Sequence, residues 1–168
     1  MDFDKKKFKN VLHYLIFKCS KQSGVEKAVL DKLLYFSDFN FFELYETPLT
    51  NESYRKLPRG PVPVHFDLAI DELICDGKIC VKKECISLGR IKSFYCSLKS
   101  PMVNLDSTES DVLVDVIDEL GQMNSTELAD YACNDMPFKT CEENELIDYA
   151  FVFYRDFPFE KSQYSSFS

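Results

Sequence analysis

The segment at residues 32–63 constrains the fold of this chain more than any other. It starts with the run KLLYFSD, on a predicted amphipathic helix at residues 25–45, and it ends with LPRGPVP, in which three prolines surround a glycine. Residues 46–60 show no periodicity, and loops of more than about 12 residues in compact domains are usually functional or disordered. Because this loop carries Tyr54, Leu57 and several prolines, we expect it to be ordered.

The chain has the size and apolar content of one compact domain. Its 168 residues are 45% hydrophobic and include 15 Phe and 9 Tyr, enough for a sizeable core. We predict a single domain over residues 1–160 and a disordered polar tail over residues 161–168. The first residues are charged where a signal peptide would be apolar, and no run reaches the ~18 apolar residues of a membrane helix. The seven cysteines are an odd number, which fits reduced thiols better than a disulfide framework. A cytoplasmic protein with reduced thiols is therefore expected.

The charge is unevenly distributed along the chain. The net charge is -8, but residues 1–60 hold 11 Lys and Arg against 8 Asp and Glu, whereas residues 61–168 hold 9 against 20. An acidic majority opposes nucleic-acid binding and favours a basic protein partner. An acidic surface that only keeps the protein soluble explains the same pattern equally well.

Periodicity predicts an α+β fold that is predominantly α-helical, with about five to six helices around one β-hairpin. Gly60 suits a positive φ, and Pro61 and Pro63 are placed in the first turn of the third helix, where proline is tolerated. The third helix and the hairpin together resemble a winged helix. The segment at residues 145–157 fits a strand and a helix equally well. Helices are predicted over residues 3–21, 25–45, 61–76, 106–120 and 125–133, and the hairpin strands over residues 78–86 and 90–98.

The sequence offers little for catalysis or metal binding. Four cysteines occur within 22 residues, but the gaps of four, four and ten residues between them lack the close Cys-x-x-Cys pair of most structural zinc sites. No nucleophile signature surrounds a cysteine or the two histidines, and the 5 glycines form no phosphate-binding cluster. We therefore predict no enzyme, no cofactor and no metal, with zinc left as an open alternative at Cys75, Cys80, Cys85 and Cys96.

Basic residues in the loop before the predicted third helix and in the predicted hairpin support a different hypothesis. A winged-helix-like regulator would use them as a positive edge against nucleic acid, although the acidic remainder of the chain makes this the less favoured interpretation. The residues concerned are Arg55, Lys56, Arg59, Lys82, Lys83, Arg90 and Lys92.

Three motifs resemble the Panacea antitoxin domain, a family of bacteria and phages. They are the run at residues 32–38, the turn at residues 48–50, and the pattern Tyr-x-x-Leu-Pro-x-Gly-Pro-Val-Pro at residues 54–63. The resemblance extends over about residues 10–157, but it weakens beyond residue 100, because Phe138 stands where tryptophan is common and the family's histidine near Asn134 is missing. It implies that the last segment is extended at residue 147 and helical after residue 148.

The resemblance also implies a function. Panacea domains are non-enzymatic antitoxins of type II toxin–antitoxin systems that bind a toxin protein encoded by an adjacent gene. Many relatives carry additional DNA-binding domains, whereas this chain has room for the core domain alone, so nucleic acid is not an expected partner. A membrane is not expected either, because no run is long and apolar enough to span one. A protein–protein adaptor and a nucleic-acid-binding regulator remain the alternatives.

The motif residues divide into two predicted roles. Lys32, Tyr35 and Asp38 lie on successive helical turns and are expected to brace the loop, because polar groups at such junctions usually satisfy backbone donors and acceptors. Side chains of the loop are expected to be exposed and to contact the partner, since Arg and Tyr are favoured at interface hot spots. The bracing set also includes Pro58, Gly60 and Pro61, and the partner-binding set is Tyr54, Arg55, Leu57 and Arg59.

Overall fold

A computed structural model describes residues 2–20, 23–102, 104–156 and 159. The predicted tail at residues 161–168 lies outside the described residues. Within the described ranges, no helix has both the length and the apolar character needed to cross a membrane.

The described chain is an α+β structure that is mostly helical, as predicted. Six α-helices are present in it, together with two short 3₁₀ helices at Ser87–Gly89 and Tyr149–Tyr154. The α-helices are α1 (Lys5–Cys19), α2 (Lys27–Tyr45), α3 (Phe66–Cys75), α4 (Ser107–Leu120), α5 (Ser125–Cys133) and α6 (Met136–Lys139). The strands are β1 (Val25–Glu26), β2 (Tyr54–Leu57), β3 (Gly60–Pro63), β4 (Ile79–Ile86) and β5 (Arg90–Ser97).

Helix α2 is the centre of the fold. Every residue at positions 31–40 is buried, because α1, α4, α5, strand β3 and the terminal 3₁₀ helix all pack around it. A helix enclosed on all sides is normally apolar all round. This one carries buried polar side chains, which must find partners inside the protein: Asp31, Lys32, Ser37, Asp38 and Asn40.

The predicted hairpin is confirmed as β4 and β5, joined at Ser87–Gly89. The two-residue strand β1 adds to β5, which gives an antiparallel sheet in the order β1-β5-β4. A strand of two residues has no detectable periodicity, so the sequence could not reveal it.

A second hairpin, formed by β2 and β3, lies in the segment predicted as an irregular loop. Pro61 and Pro63 were predicted in the first turn of α3, and this prediction is wrong. They lie in β3, opposite Lys56 and Tyr54, and α3 begins only at Phe66. Strand β3 pairs with β2 on one edge, so the missing N–H groups of the prolines are tolerated.

The ambiguous segment near the C-terminus is first extended and then helical. Leu146 forms a bridge with Arg55, and the Ile147 N–H donates to the Tyr54 carbonyl at 2.8 Å. The 3₁₀ helix starts at Tyr149, where the Asp148 side chain accepts from the Ala150 N–H. This agrees with the conformation that the Panacea resemblance implied.

Candidate partner-binding site

The carboxylate of Asp38 connects α2 to the chain that follows it. It accepts hydrogen bonds from the Thr50 N–H and the Thr50 hydroxyl, both at 2.7 Å, and from the Tyr54 hydroxyl at 2.6 Å. These groups are all buried, so each contact lies in a medium of low dielectric constant, where a lost hydrogen bond is costly. Asp38 thus holds the start of the β2–β3 hairpin against the central helix.

Burial raises the pKa of Asp38 to about 6, although the hydrogen bonds from Tyr54 and Thr50 favour the ionised form. The Tyr54 hydroxyl also lies 3.0 Å from the Leu34 carbonyl oxygen. A phenol has one hydrogen and can donate it to only one of the two oxygens. When Asp38 is protonated, its own O–H can donate to Tyr54 and the phenol can donate to Leu34, so the neutral carboxyl satisfies every group.

The prediction that Tyr54 is exposed is wrong. Its side chain is 0% exposed, and its ring meets those of Tyr35 and Phe39 edge-on at centroid distances of 5.7 and 5.8 Å. Residues alternate between the two faces of a strand, so Tyr54 points into the core and Arg55 points outward. The alternation was hidden in the sequence because the strand has only four residues.

Glu52 is a second buried carboxylate under the same segment. Its Oε1 accepts from the Ser53 N–H at 2.7 Å and lies 2.6 Å from His65 Nδ1, while Oε2 accepts from the His65 N–H at 2.8 Å. The Tyr149 hydroxyl donates to the Glu52 carbonyl at 2.6 Å. Sequence reasoning did not single out Glu52, because an isolated glutamate in a loop carries no signal of burial.

Lys32 packs against Gly60 at the end of the hairpin turn. Gly60 has a φ of +130°, and a Cβ at this position would lie 2.8 Å from Lys32 Cε. Lys32 is buried, which lowers the pKa of its ammonium group, while the nearby Asp31 carboxylate opposes that shift. The lysine stem therefore covers the glycine, and no larger residue fits there without moving it.

The Tyr35 hydroxyl does not form a hydrogen bond with the loop. It donates instead to Asp135 Oδ2 at 2.7 Å, and Arg155 donates to both oxygens of Asp135 at 2.8 Å. Arg155 also donates to Asn40 at 2.8 Å and to Glu43 at 2.6 Å. This network fastens the C-terminal segment to α2, and no sequence pattern pointed to Arg155 or Asp135.

The outward side of the β2–β3 hairpin is basic and apolar. Arg55, Pro58 and Arg59 are exposed, and Leu57 is half-buried. Lys56 turns inward, where its ammonium group donates to the carbonyls of residues 138 and 141 at 3.0 and 2.9 Å. Beside the hairpin lies a groove of about 260 Å³, which we call the hairpin groove; it is lined by Lys27, Arg55, Leu57, Val62, Pro63, Val64, Phe66 and Asp67.

The family described as antitoxin SocA-like, Panacea domain, matches residues 30–138, well over half of the chain. The chain belongs to this family. No curated protein and no solved structure matches it. The matched range is shorter than the resemblance at residues 10–157, but it includes most of α2, both hairpins and Asp135. Arg155 lies outside the range, so the Panacea match alone could not have identified the network that this residue completes.

The four cysteines considered for zinc lie in strands β4 and β5 and at the end of α3 of this Panacea domain. Cys80 and Cys96 are cross-strand neighbours, Cys85 lies opposite Ile91, and Cys75 ends α3. Among the residues that the structure describes, no group of three or more His, Cys, Asp or Glu side chains is placed to hold a metal ion.

The proposed basic edge is divided between two sheets. Arg55 and Arg59 lie on the β2–β3 hairpin, whereas Lys82, Lys83 and Arg90 lie on β4 and β5 and are exposed. Two further members are engaged within the Panacea domain, since Lys56 turns inward and Lys92 pairs with Glu26 at 3.2 Å.

Replacing Gly60 with alanine is expected to destabilise the protein by roughly 2–3 kcal/mol, because the new Cβ has both an unfavourable φ and a buried lysine in its way. Gly89→Ala is the matched control: Gly89 also has a positive φ, but a Cβ there meets no atom within 4 Å. Its cost should be only about 1 kcal/mol. The φ of +72° at Gly89 lies near the left-handed α region, whereas that of +130° at Gly60 lies far from it. Equal losses in urea denaturation would therefore show that neither this φ nor Lys32 adds to the cost at Gly60.

Proposed function

We propose that this chain is the cytoplasmic antitoxin of a type II toxin–antitoxin system and that it neutralises its toxin by direct, non-enzymatic binding. The observation that carries the proposal is the β2–β3 hairpin. Its inner side chains are fixed by buried hydrogen bonds to α2, and its outer side chains, Arg55 and Arg59, face solvent. Membership of the antitoxin family supports the same conclusion.

The anchoring matters for affinity. A loop that must become ordered on binding loses conformational entropy, whereas a hairpin already held in one conformation does not. Tyr54 and Asp38 supply this pre-organisation and cannot touch a partner, because both are buried. Partner contact is therefore proposed for Arg55, Leu57 and Arg59 alone.

The chemistry of the surface indicates what the toxin presents to it. The Arg55 side chain lines the hairpin groove, and the exposed Arg59 lies in the turn of the same hairpin. Most of the other groove side chains are apolar, and the charged exceptions are Lys27 and Asp67. Arginine binds carboxylates through a planar fork of donors. We propose that the toxin offers Asp or Glu to the arginines and places an apolar side chain in the hairpin groove.

Growth rescue tests the proposal. Each gene flanking the one for this chain is expressed in a host, alone and together with this chain. One flanking product should be toxic alone and harmless in co-expression, and the two proteins should co-purify as a stoichiometric complex. If no adjacent gene gives a toxic product that this chain neutralises, the proposal fails.

Arg59→Glu should weaken the complex at least tenfold and abolish rescue, since it places a negative charge against the proposed carboxylates. The fold should tolerate the change, because Arg59 is exposed and its positive charge repels that of Lys32. Titration calorimetry measures the affinity and thermal melting the stability. Lys6→Glu, at an exposed position of α1, is the control and should still rescue. Wild-type affinity in Arg59→Glu would remove the hairpin from the interface.

A further inference from the structure

The far end of the β4–β5 hairpin exposes aliphatic side chains. Leu88 is 96% exposed at the turn and Ile91 is 67% exposed in β5, while Val81, opposite Tyr95 and nearer the base of the hairpin, is 36% exposed. Single exposed apolar residues are common, but here they share one projecting hairpin. We call the end of the hairpin above this level, residues 82–94, the β4–β5 tip.

Leucine is an unusual residue for the backbone conformation found at position 88. Leu88 has φ and ψ of +64° and +34°, and Gly89 follows with a φ of +72°. In hairpin turns, positions with positive φ are dominated by Gly, Asn and Asp, because other side chains clash with the backbone. The fold gains nothing from a leucine here, since the side chain is almost fully in water. A strained and exposed leucine is better explained by a contact outside the chain.

Positive charge surrounds these aliphatic groups. Lys82, Lys83 and Arg90 are all exposed. Lys82 lies opposite Phe94 and Lys83 opposite Ser93, so the two lysines point to opposite faces of the sheet. Glu84, two residues from Lys82 on the same face, is also exposed, but the basic residues outnumber it. The tip is therefore basic overall, although the chain as a whole has a net charge of -8.

We infer that the β4–β5 tip is a second toxin-binding element, in which Leu88 and Ile91 enter an apolar pocket on the toxin whose rim carries Asp or Glu side chains. An apolar core surrounded by a polar rim is the usual arrangement of a protein–protein interface. Nucleic acid is the less suitable occupant, because a phosphate backbone offers nothing to two exposed aliphatic side chains. This inference rests on the proposed function.

The variant Leu88→Asn tests the role of Leu88 in binding without an expected loss of stability. Asparagine adopts positive φ more readily than leucine, so the variant should melt no lower than the wild type. It removes the apolar anchor, so its affinity for the toxin that the wild type neutralises should fall at least tenfold, with loss of rescue. Leu98→Asn is the matched control: Leu98 is 59% exposed just after β5, outside the tip, and its replacement should leave affinity unchanged.

The possible outcomes are distinct. If the wild type rescues and Leu88→Asn rescues equally well with unchanged affinity, the inference fails and the proposed function stands. If the wild type neutralises no flanking gene product, both fail. If the purified chain instead shifts a duplex DNA in a salt-dependent manner, and replacing Lys82 and Lys83 with Gln abolishes the shift while Leu88→Asn leaves toxin affinity intact, the tip is a nucleic-acid element and the inference is overturned.

Discussion

Arg155→Met is expected to lower the free energy of unfolding by about 3–5 kcal/mol, because it leaves two carboxylates buried without their positive partner. The side chains of Arg155, Glu43 and Asp135 are only 8, 7 and 10% exposed. A typical domain is stable by roughly 5–15 kcal/mol, so this loss removes a large fraction of the total and unfolds a domain at the low end of that range. Urea denaturation near neutral pH measures the loss.

The same substitution at Arg90 is the control for this prediction. Arg90→Met removes an exposed arginine of β5 and should change stability by less than about 0.5 kcal/mol. Adding Asp135→Asn and Glu43→Gln to Arg155→Met removes both orphaned charges, and part of the lost stability should return. A loss below about 1 kcal/mol in the single variant would mean that water reaches the carboxylates and that the network contributes little.

The Arg155 network also shows where sequence reasoning stops. Local periodicity predicted the long helices and the β4–β5 hairpin, since each of these signals lies within a window of some twenty residues. The contact from Arg155 to Asn40 spans 115 positions. A single sequence contains no local trace of such a pair, so a buried arginine near the end of the described chain resembles any surface arginine.

The hairpin at residues 54–63 was missed for a different reason. Proline is rare in strands, and the two prolines of β3 made a helix start the more probable local assignment. The tertiary contacts of Tyr54 and Gly60 with α2 determine the outcome instead. These contacts also reversed the expected role of Tyr54, which anchors the hairpin from inside, while Arg55 and Arg59 are left facing solvent.

Asp38→Asn is expected to remove a pH dependence of stability worth about 3 kcal/mol. The pKa of Asp38 is about 6 in the folded protein and 3.8 in the unfolded chain, so the folded state holds this proton more tightly. The stability that follows is fully present below about pH 3.8 and is lost as the pH rises through about 6. Above that range the wild type keeps a buried carboxylate ionised, whereas asparagine cannot ionise.

Urea denaturation at several values between about pH 4 and about pH 7.5 tests this difference. The stability of the wild type relative to Asp38→Asn should decrease by about 2.4 kcal/mol over the range, which is most of the full difference, and other titrating groups cancel because both proteins contain them. Burial also raises the pKa of Asp31, for example, but equally in both. Asp130→Asn, at an exposed position of α5, should keep the wild-type profile.

Parallel profiles for the wild type and Asp38→Asn would mean that Asp38 stays ionised throughout. Tyr54 would then donate to the Asp38 carboxylate rather than to the Leu34 carbonyl, and the hairpin would be held by a charged anchor instead of a neutral one.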